Sequence, residues 1–166
     1  TLDLKAGFQG GRIVHQTVHS ADLLLHLKDR VATIHAFNAQ TGFGGLELGG
    51  RIDLGQVYPN GFFLPSAGFE KATYEGRLRT VALDLAAIGL GQEKVKGKLD
   101  ALLTARGQGI SLQTLKVDAA AEMAVHHFSF GNMSQSANVR LKAAGSLLER
   151  TARLDSFEVE TVGLHM

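Results

Sequence analysis

Apolar and polar residues alternate along most of this chain with a period of two. From 46 to 54 one parity reads Leu46, Leu48, Gly50, Ile52, Leu54, and the other reads Glu47, Gly49, Arg51, Asp53. A strand places such residues on opposite faces, whereas a helix scatters the four aliphatics around its circumference. Leu23, Leu25 and Leu27 alternate with Asp22, His26 and Lys28, with Leu24 breaking the polar parity. Val81, Leu83 and Leu85 alternate with Asp84 and alanines. Val139, Leu141 and Ala143 alternate with Arg140 and Lys142, and Phe157, Val159 and Thr161 with Glu158 and Glu160. Residues 115–125 alternate too, although the Ala-rich stretch VDAAAEMAV also suits a helix. The alternation favours a strand there.

The segments FGG, LGG, YPNG, GLG, RGQG and FGN punctuate these runs and read as turns. A short phrase of glycine, cation and aliphatic recurs at 11–13, 50–52, 76–78 and 97–99 without a fixed period. It predicts a glycine ending each turn and a solvated cation opening the next strand. Residues 56–74 hold both prolines with Phe62, Phe63 and Phe69, and read as a long connection with its own apolar contacts. The polar stretch 131–138 reads as a turn. The predicted fold is mostly β: an antiparallel, curled, elongated sheet forming an open trough, with at most one or two short helices.

Composition sharpens this picture. Glycine is 20 of 166 residues, about 12 per cent against a usual ~7 per cent, and proline only 2. That balance favours turns and bulges over a proline-rich linker. Seventeen basic residues face sixteen acidic ones, so no general attraction to nucleic acid arises. With no cysteine, disulfides and thiolate metal sites are excluded. The first residue is Thr1, which suggests a single β-rich segment, 1–166, excised from a larger protein.

Candidate chemistry is sparse. Gly42–Phe43–Gly44 and Gly107–Gln108–Gly109 each begin a G-x-G, but Glu47 and Leu112 stand where a dinucleotide fingerprint needs its third glycine. His15 and His19 lie about 13 Å apart on a strand, too far for one zinc with Zn–N bonds near ~2 Å. His126 and His127 are adjacent and should face opposite ways. Glu158 and Glu160 share one face of the last strand, where charge guards an edge. No nucleophile elbow exists. The expectation is a protein with no catalytic residues, no metal and no cofactor. What remains is an apolar face. Closed against a second sheet, it is the core of a structural or adhesion-type sandwich. Left open, it is a groove for an acyl chain, lined by Leu46, Leu48, Ile52, Leu54, Leu83, Leu85, Val117, Val139 and Leu141.

Residues 29–54, DRVATIHAFNAQTGFGGLELGGRIDL, resemble the strand–turn–strand phrase of AsmA-like and TamB-like proteins of bacterial envelopes. There an aliphatic strand leads to an aromatic-Gly-Gly and then to x-L-x-G-x-I-D-L, matched here by Val31–Phe37, Phe43–Gly44–Gly45 and Leu48–Leu54. Residues 97–109 and 139–164 are similar to later phrases of that family. The family places a short helix after its G-x-G, where SLQTLKVDAAAEMAV alternates at period two instead. The resemblance implies a periplasmic, curled sheet with an apolar interior, in a parent protein anchored in the inner membrane. Its implied partner is a phospholipid or other acyl-chain ligand, its implied role lipid transport or outer-membrane assembly. Contact with membrane would come through parts of the parent outside 1–166, and open edges would pair with neighbouring strands.

Overall fold

A computed structural model describes residues 1–13, 16–62, 67–87, 95–109, 114–131, 137–148 and 151–164. Nine strands follow one another in chain order and in space: β1 (Leu2–Ile13), β2 (Gln16–Lys28), β3 (Val31–Thr41), β4 (Gly44–Asp53), β5 (Thr73–Asp84), β6 (Val95–Gln108), β7 (Lys116–Phe130), β8 (Ala137–Leu148) and β9 (Thr151–Leu164). Every neighbouring pair is antiparallel. The sheet is open and curled, not a closed barrel. Phe69–Lys71 forms a single 3-10 turn, the one helical element among the described residues. The alternation thus reports the fold correctly, including β7, where the Ala-rich run is strand from Lys116. His15, residues 111–113 and most of 131–138 lie outside the described residues.

The hairpins are tight. Asp29 and Arg30 make a two-residue turn between Lys28 and Val31, with φ of 50 and 67. Positive φ at both central positions is the geometry that matches strand twist. It is costly for a side chain such as arginine. Arg30 is held there by its guanidinium, whose Nη1 donates to the carbonyls of Tyr58 (3.0 Å) and Pro59 (2.7 Å). Those contacts tie the turn to the connection between β4 and β5. In that connection Val57 is fully buried, and the Tyr58 ring packs against Phe62 and Phe69 at 5.2 and 6.0 Å. The expected apolar contacts of this segment are therefore present in its described part. Arg30→Ala should cost about 1–2 kcal/mol, because two charge-assisted hydrogen bonds disappear while the strained turn remains. Urea unfolding measures this, and limited proteolysis should cut first within 54–62.

Two expectations about glycine need correction. The glycine–cation–aliphatic phrases do not open strands after turns. All four lie within strands, at the end of β1, inside β4 and β5, and near the start of β6. They mark the two faces of the sheet, with small and aliphatic residues on one side and the cation on the other. LGG at 48–50 is likewise not a turn but the middle of β4. The irregularity belongs to β3, whose register shifts between Ile34 and Phe37 opposite Leu48–Gly50. Gly42–Phe43 is the turn, closed by Thr41 Oγ1 donating to the Gly44 carbonyl at 2.7 Å.

Candidate ligand-binding face

The registers line up side chains across all nine strands. One row reads Ala6, Leu23, Phe37, Leu48, Leu78, Leu103, Ala121, Ala143, Phe157. The next reads Phe8, Ala21, Ala39, Leu46, Thr80, Ala101, Met123, Leu141, Val159. On the other side of the first runs Leu4, Leu25, Ile34, Gly50, Gly76, Ala105, Ala119, Gly145, Leu154. Beyond it runs Leu2, Leu27, Ala32, Ile52, Tyr74, Gly107, Val117, Leu147, Ala152. A shorter row, Leu83, Leu99, Val125, Val139 and Thr161, closes the far end. No charged residue occurs in any of them. In the third row the positions between Ile34 and Leu154 are only glycine and alanine. They leave a furrow flanked by Leu48, Leu78 and Leu103 on one side and by Ile52, Tyr74 and Val117 on the other.

The opposite face carries the charge. Glu47, Arg79, Leu102, Glu122, Lys142 and Glu158 form one row, and Arg51, Glu75, Arg106, Asp118, Ser146 and Arg153 another. Signs alternate along both, which stabilises neighbouring strands by a few tenths of a kcal/mol per exposed pair (about 0.2–1). Arg79 lies 3.5 Å from Glu47, Arg106 3.5 Å from Asp118, and Arg140 3.4 Å from Glu160. Lys98 Nζ donates to Asp84 Oδ2 at 2.8 Å and holds that carboxyl below its ordinary range. An open cleft of about 910 Å³ sits on this side, between arginine and glutamate side chains over Thr104, Ala120 and Ala144. Its lining balances Arg51, Arg77 and Arg106 against Glu75, Asp118 and Asp155, so it selects neither anion nor cation.

The glycines show which way the sheet bends. On the apolar face a Cβ at Gly50 would stand 2.8 Å from the Glu75 carbonyl, at Gly107 2.2 Å from that of Lys116, and at Gly145 2.5 Å from that of Arg153. On the charged face, a Cβ at Gly7, Gly45 or Gly49 would first meet a side chain, at 3.3–3.5 Å. Neighbouring backbones crowd these three glycines on the apolar side and none of the three on the charged side, the spacing expected where a sheet bends toward its apolar face, hereafter the inner face. Burial agrees. In the second row Ala39, Thr80 and Ala101 are 5–8% exposed with no second sheet over them, whereas Phe8 and Val159 at its ends are 42% and 56% exposed; the larger Leu48 and Leu103 of the first row stand 37% and 39% exposed.

Of the nine residues that the sequence assigns to a groove, Leu46, Leu48, Ile52, Leu83, Val117, Val139 and Leu141 fall in these rows. Leu85 lies just past β5, is 6% exposed, and donates its N–H to the Gly97 carbonyl. Leu54 belongs to the connection, where its carbonyl accepts from Val57 and Tyr58. Sequence reasoning missed the glycine–alanine furrow, whose signal is spread over five strands and appears only when the register is known. It also missed Tyr74, whose hydroxyl is a buried polar atom in the apolar rows with no hydrogen-bond partner among the described residues. Burial pushes its pKa up.

The remaining candidates stay apart. No group of three His, Asp or Glu able to hold a metal occurs among the described residues. His126 Nε2 lies 3.2 Å from Asp100 Oδ2 on the charged face. His127 occupies a β-bulge at φ 53, and its N–H bonds to Asn138 Oδ1. Glu158 and Glu160 share the charged face of edge strand β9, opposite Lys142 and Arg140. No family model, curated protein or solved structure matches this chain.

Proposed function

We propose that this chain is a non-catalytic, lipid-binding or lipid-conducting segment of an AsmA-like envelope protein, working in the periplasm in support of phospholipid transport or outer-membrane assembly. The observation that carries this reading is the apolar face of the sheet: five uncharged rows, with the charges of the described strands on the other side. Eight interstrand spacings of ~4.8 Å make that face about 38 Å across along the arc. A sixteen-carbon acyl chain leaving water for such a surface gains about 13 kcal/mol gross, at ~0.8 kcal/mol per methylene, before ordering costs. The furrow over Gly50, Gly76, Ala105, Ala119 and Gly145 runs across the strands and offers a track for one chain. Sliding along it breaks no hydrogen bond, so passage needs no catalytic group. A sandwich core would need a second sheet over this face, and the described residues contain one sheet only.

Native mass spectrometry of protein expressed in bacteria is expected to find phospholipid bound. Leu48→Glu, on the inner face at 37% exposed, should abolish that adduct while the far-ultraviolet β signal persists. A clean unliganded mass together with no uptake of a fluorescent fatty acid would overturn the proposal.

A further inference from the structure

Tyr58, Pro59, Asn60 and Gly61 make a turn in the connection between β4 and β5, closed by the Gly61 N–H donating to the Tyr58 carbonyl at 3.1 Å. Proline in second place and glycine in fourth suit such a turn. Asn60 is exposed, and it is the only asparagine in the chain that a glycine follows. Gly61 stands at φ 112, and among the described residues nothing beyond its chain neighbours lies within 4 Å of where a Cβ would be.

These features suit one uncatalysed reaction of asparagine, a thermolabile residue. The Gly61 N–H gives its proton to solvent base, and the nitrogen attacks Cγ of Asn60. A C–N bond forms and closes a cyclic imide. The Cγ–Nδ2 bond breaks, and the amide takes up a proton and leaves as ammonia. Water then adds at either imide carbonyl and opens the ring, to aspartate or to an isoaspartyl link that routes the backbone through the side chain. A side chain at 61 would obstruct the attack, and glycine has none. Asn38 is followed by Ala39 within β3 and is paired on both sides. Asn138 is followed by Val139, and its Oδ1 accepts from the His127 N–H.

The attack has a gate. The Gly61 nitrogen must leave Tyr58 and turn toward the Asn60 side chain. Arg30 Nη1 donates to the same Tyr58 carbonyl and to that of Pro59, the peptide unit that carries the Asn60 nitrogen. Arg30 therefore holds the turn closed, and the reaction runs in proportion to how often the turn opens. We propose that Asn60–Gly61 is a self-modifying site that forms the imide, and that Arg30, reaching over from the β2–β3 turn, sets its rate. The isoaspartyl product lengthens the backbone between Pro59 and Gly61 and loosens the tie between the connection and that turn. This modification is independent of what the apolar face binds.

The test is incubation of the full chain in warm, mildly alkaline buffer, with trypsin digestion of samples over weeks. Cleavage after Arg51 and Lys71 releases residues 52–71, in which Asn60 is the only asparagine. The expected result is a gain of about 1 Da in that peptide, resolved by chromatography into aspartyl and isoaspartyl forms. Asn60→Gln should keep its mass. Arg30→Ala, folded by circular dichroism, should react several-fold faster, and wild type unfolded in urea faster still. Arg30→Gln, which keeps a side-chain donor, should fall between wild type and Arg30→Ala, an order that loss of the fold would not produce. A native chain that keeps its mass while the urea-unfolded chain reacts, or folded Arg30→Ala reacting at the wild-type rate, would overturn the proposal.

Discussion

Ala101→Glu unfolds this protein or weakens it by about 3 kcal/mol or more, while Leu102→Glu changes stability by less than about 1 kcal/mol. The two residues are adjacent on β6, yet they meet opposite environments. Ala101 lies between Thr80 and Met123 on the inner face and is 8% exposed. A carboxylate there has no cation within its rows, and its site is nearly closed to water, with Ala101 8% exposed. It must either stay charged without a partner or take up a proton, and both cost stability. Leu102 lies between Arg79 and Glu122 on the charged face and is 38% exposed. A carboxylate there faces one cation, Arg79, and one like charge, Glu122, whose effects roughly offset, and it remains in water. Urea unfolding followed by circular dichroism separates the two. Equal losses at both positions would mean that the inner face is no drier than the outer, and the acyl-chain reading would lose its basis.

The same pair shows how much of the molecule was legible in the sequence. Alternation needs only neighbours along the chain, so it identified the strands and, for seven of nine proposed groove residues, the face. It failed where the chain leaves the period. Leu54 and Leu85 keep the parity of Ile52 and Leu83 but fall just beyond their strands, at positions set by the connection and by the hydrogen bond from Leu85 to Gly97. The β2–β3 turn was equally hidden. Asp29–Arg30 lacks the glycine that usually marks positive φ, and its stabilising partners lie 28 and 29 residues away. Bulges next to Ile34, Ala82 and His127 were invisible as well, because each depends on which residue stands across the ladder.

The bend of the sheet had the same obstacle. Glycine abundance suggested turns, since turns are the commonest reason for glycine. The actual reason at Gly50, Gly107 and Gly145 is the approach of a neighbouring backbone, a fact about pairs of strands that no single segment contains. Sequence could say that one face is oily. It could not say that the oily face is the inner one, and on that the distinction between a sticky plate and a trough depends.

That distinction is open to a second test with a large effect. Gly107→Ala should destabilise the protein by about 2–3 kcal/mol, whereas Gly76→Ala should be neutral or stabilise it by about 0.5 kcal/mol. Both glycines sit on the inner face, one strand apart, and Gly76 does not have positive φ. A methyl at Gly76 finds its nearest neighbour, the Gly49 carbonyl, at 3.5 Å, an ordinary contact. It therefore keeps the fold while reducing the freedom of the unfolded chain. A methyl at Gly107 would stand 2.2 Å from the Lys116 carbonyl and 2.7 Å from the Tyr74 hydroxyl. The tyrosine can rotate away, but the carbonyl belongs to the paired strand β7, and moving it opens the β6–β7 ladder. The sheet must flatten there to admit the methyl, which widens the curl at that ladder. Thermal or urea unfolding of the two variants gives the energies. If Gly107→Ala also lowers the lipid adduct in native mass spectrometry at a temperature where it remains folded, curvature itself, and not only hydrophobicity, holds the ligand. Equal tolerance at both positions would show that the backbones are not crowded on the apolar side, and the inner face would have to be assigned again.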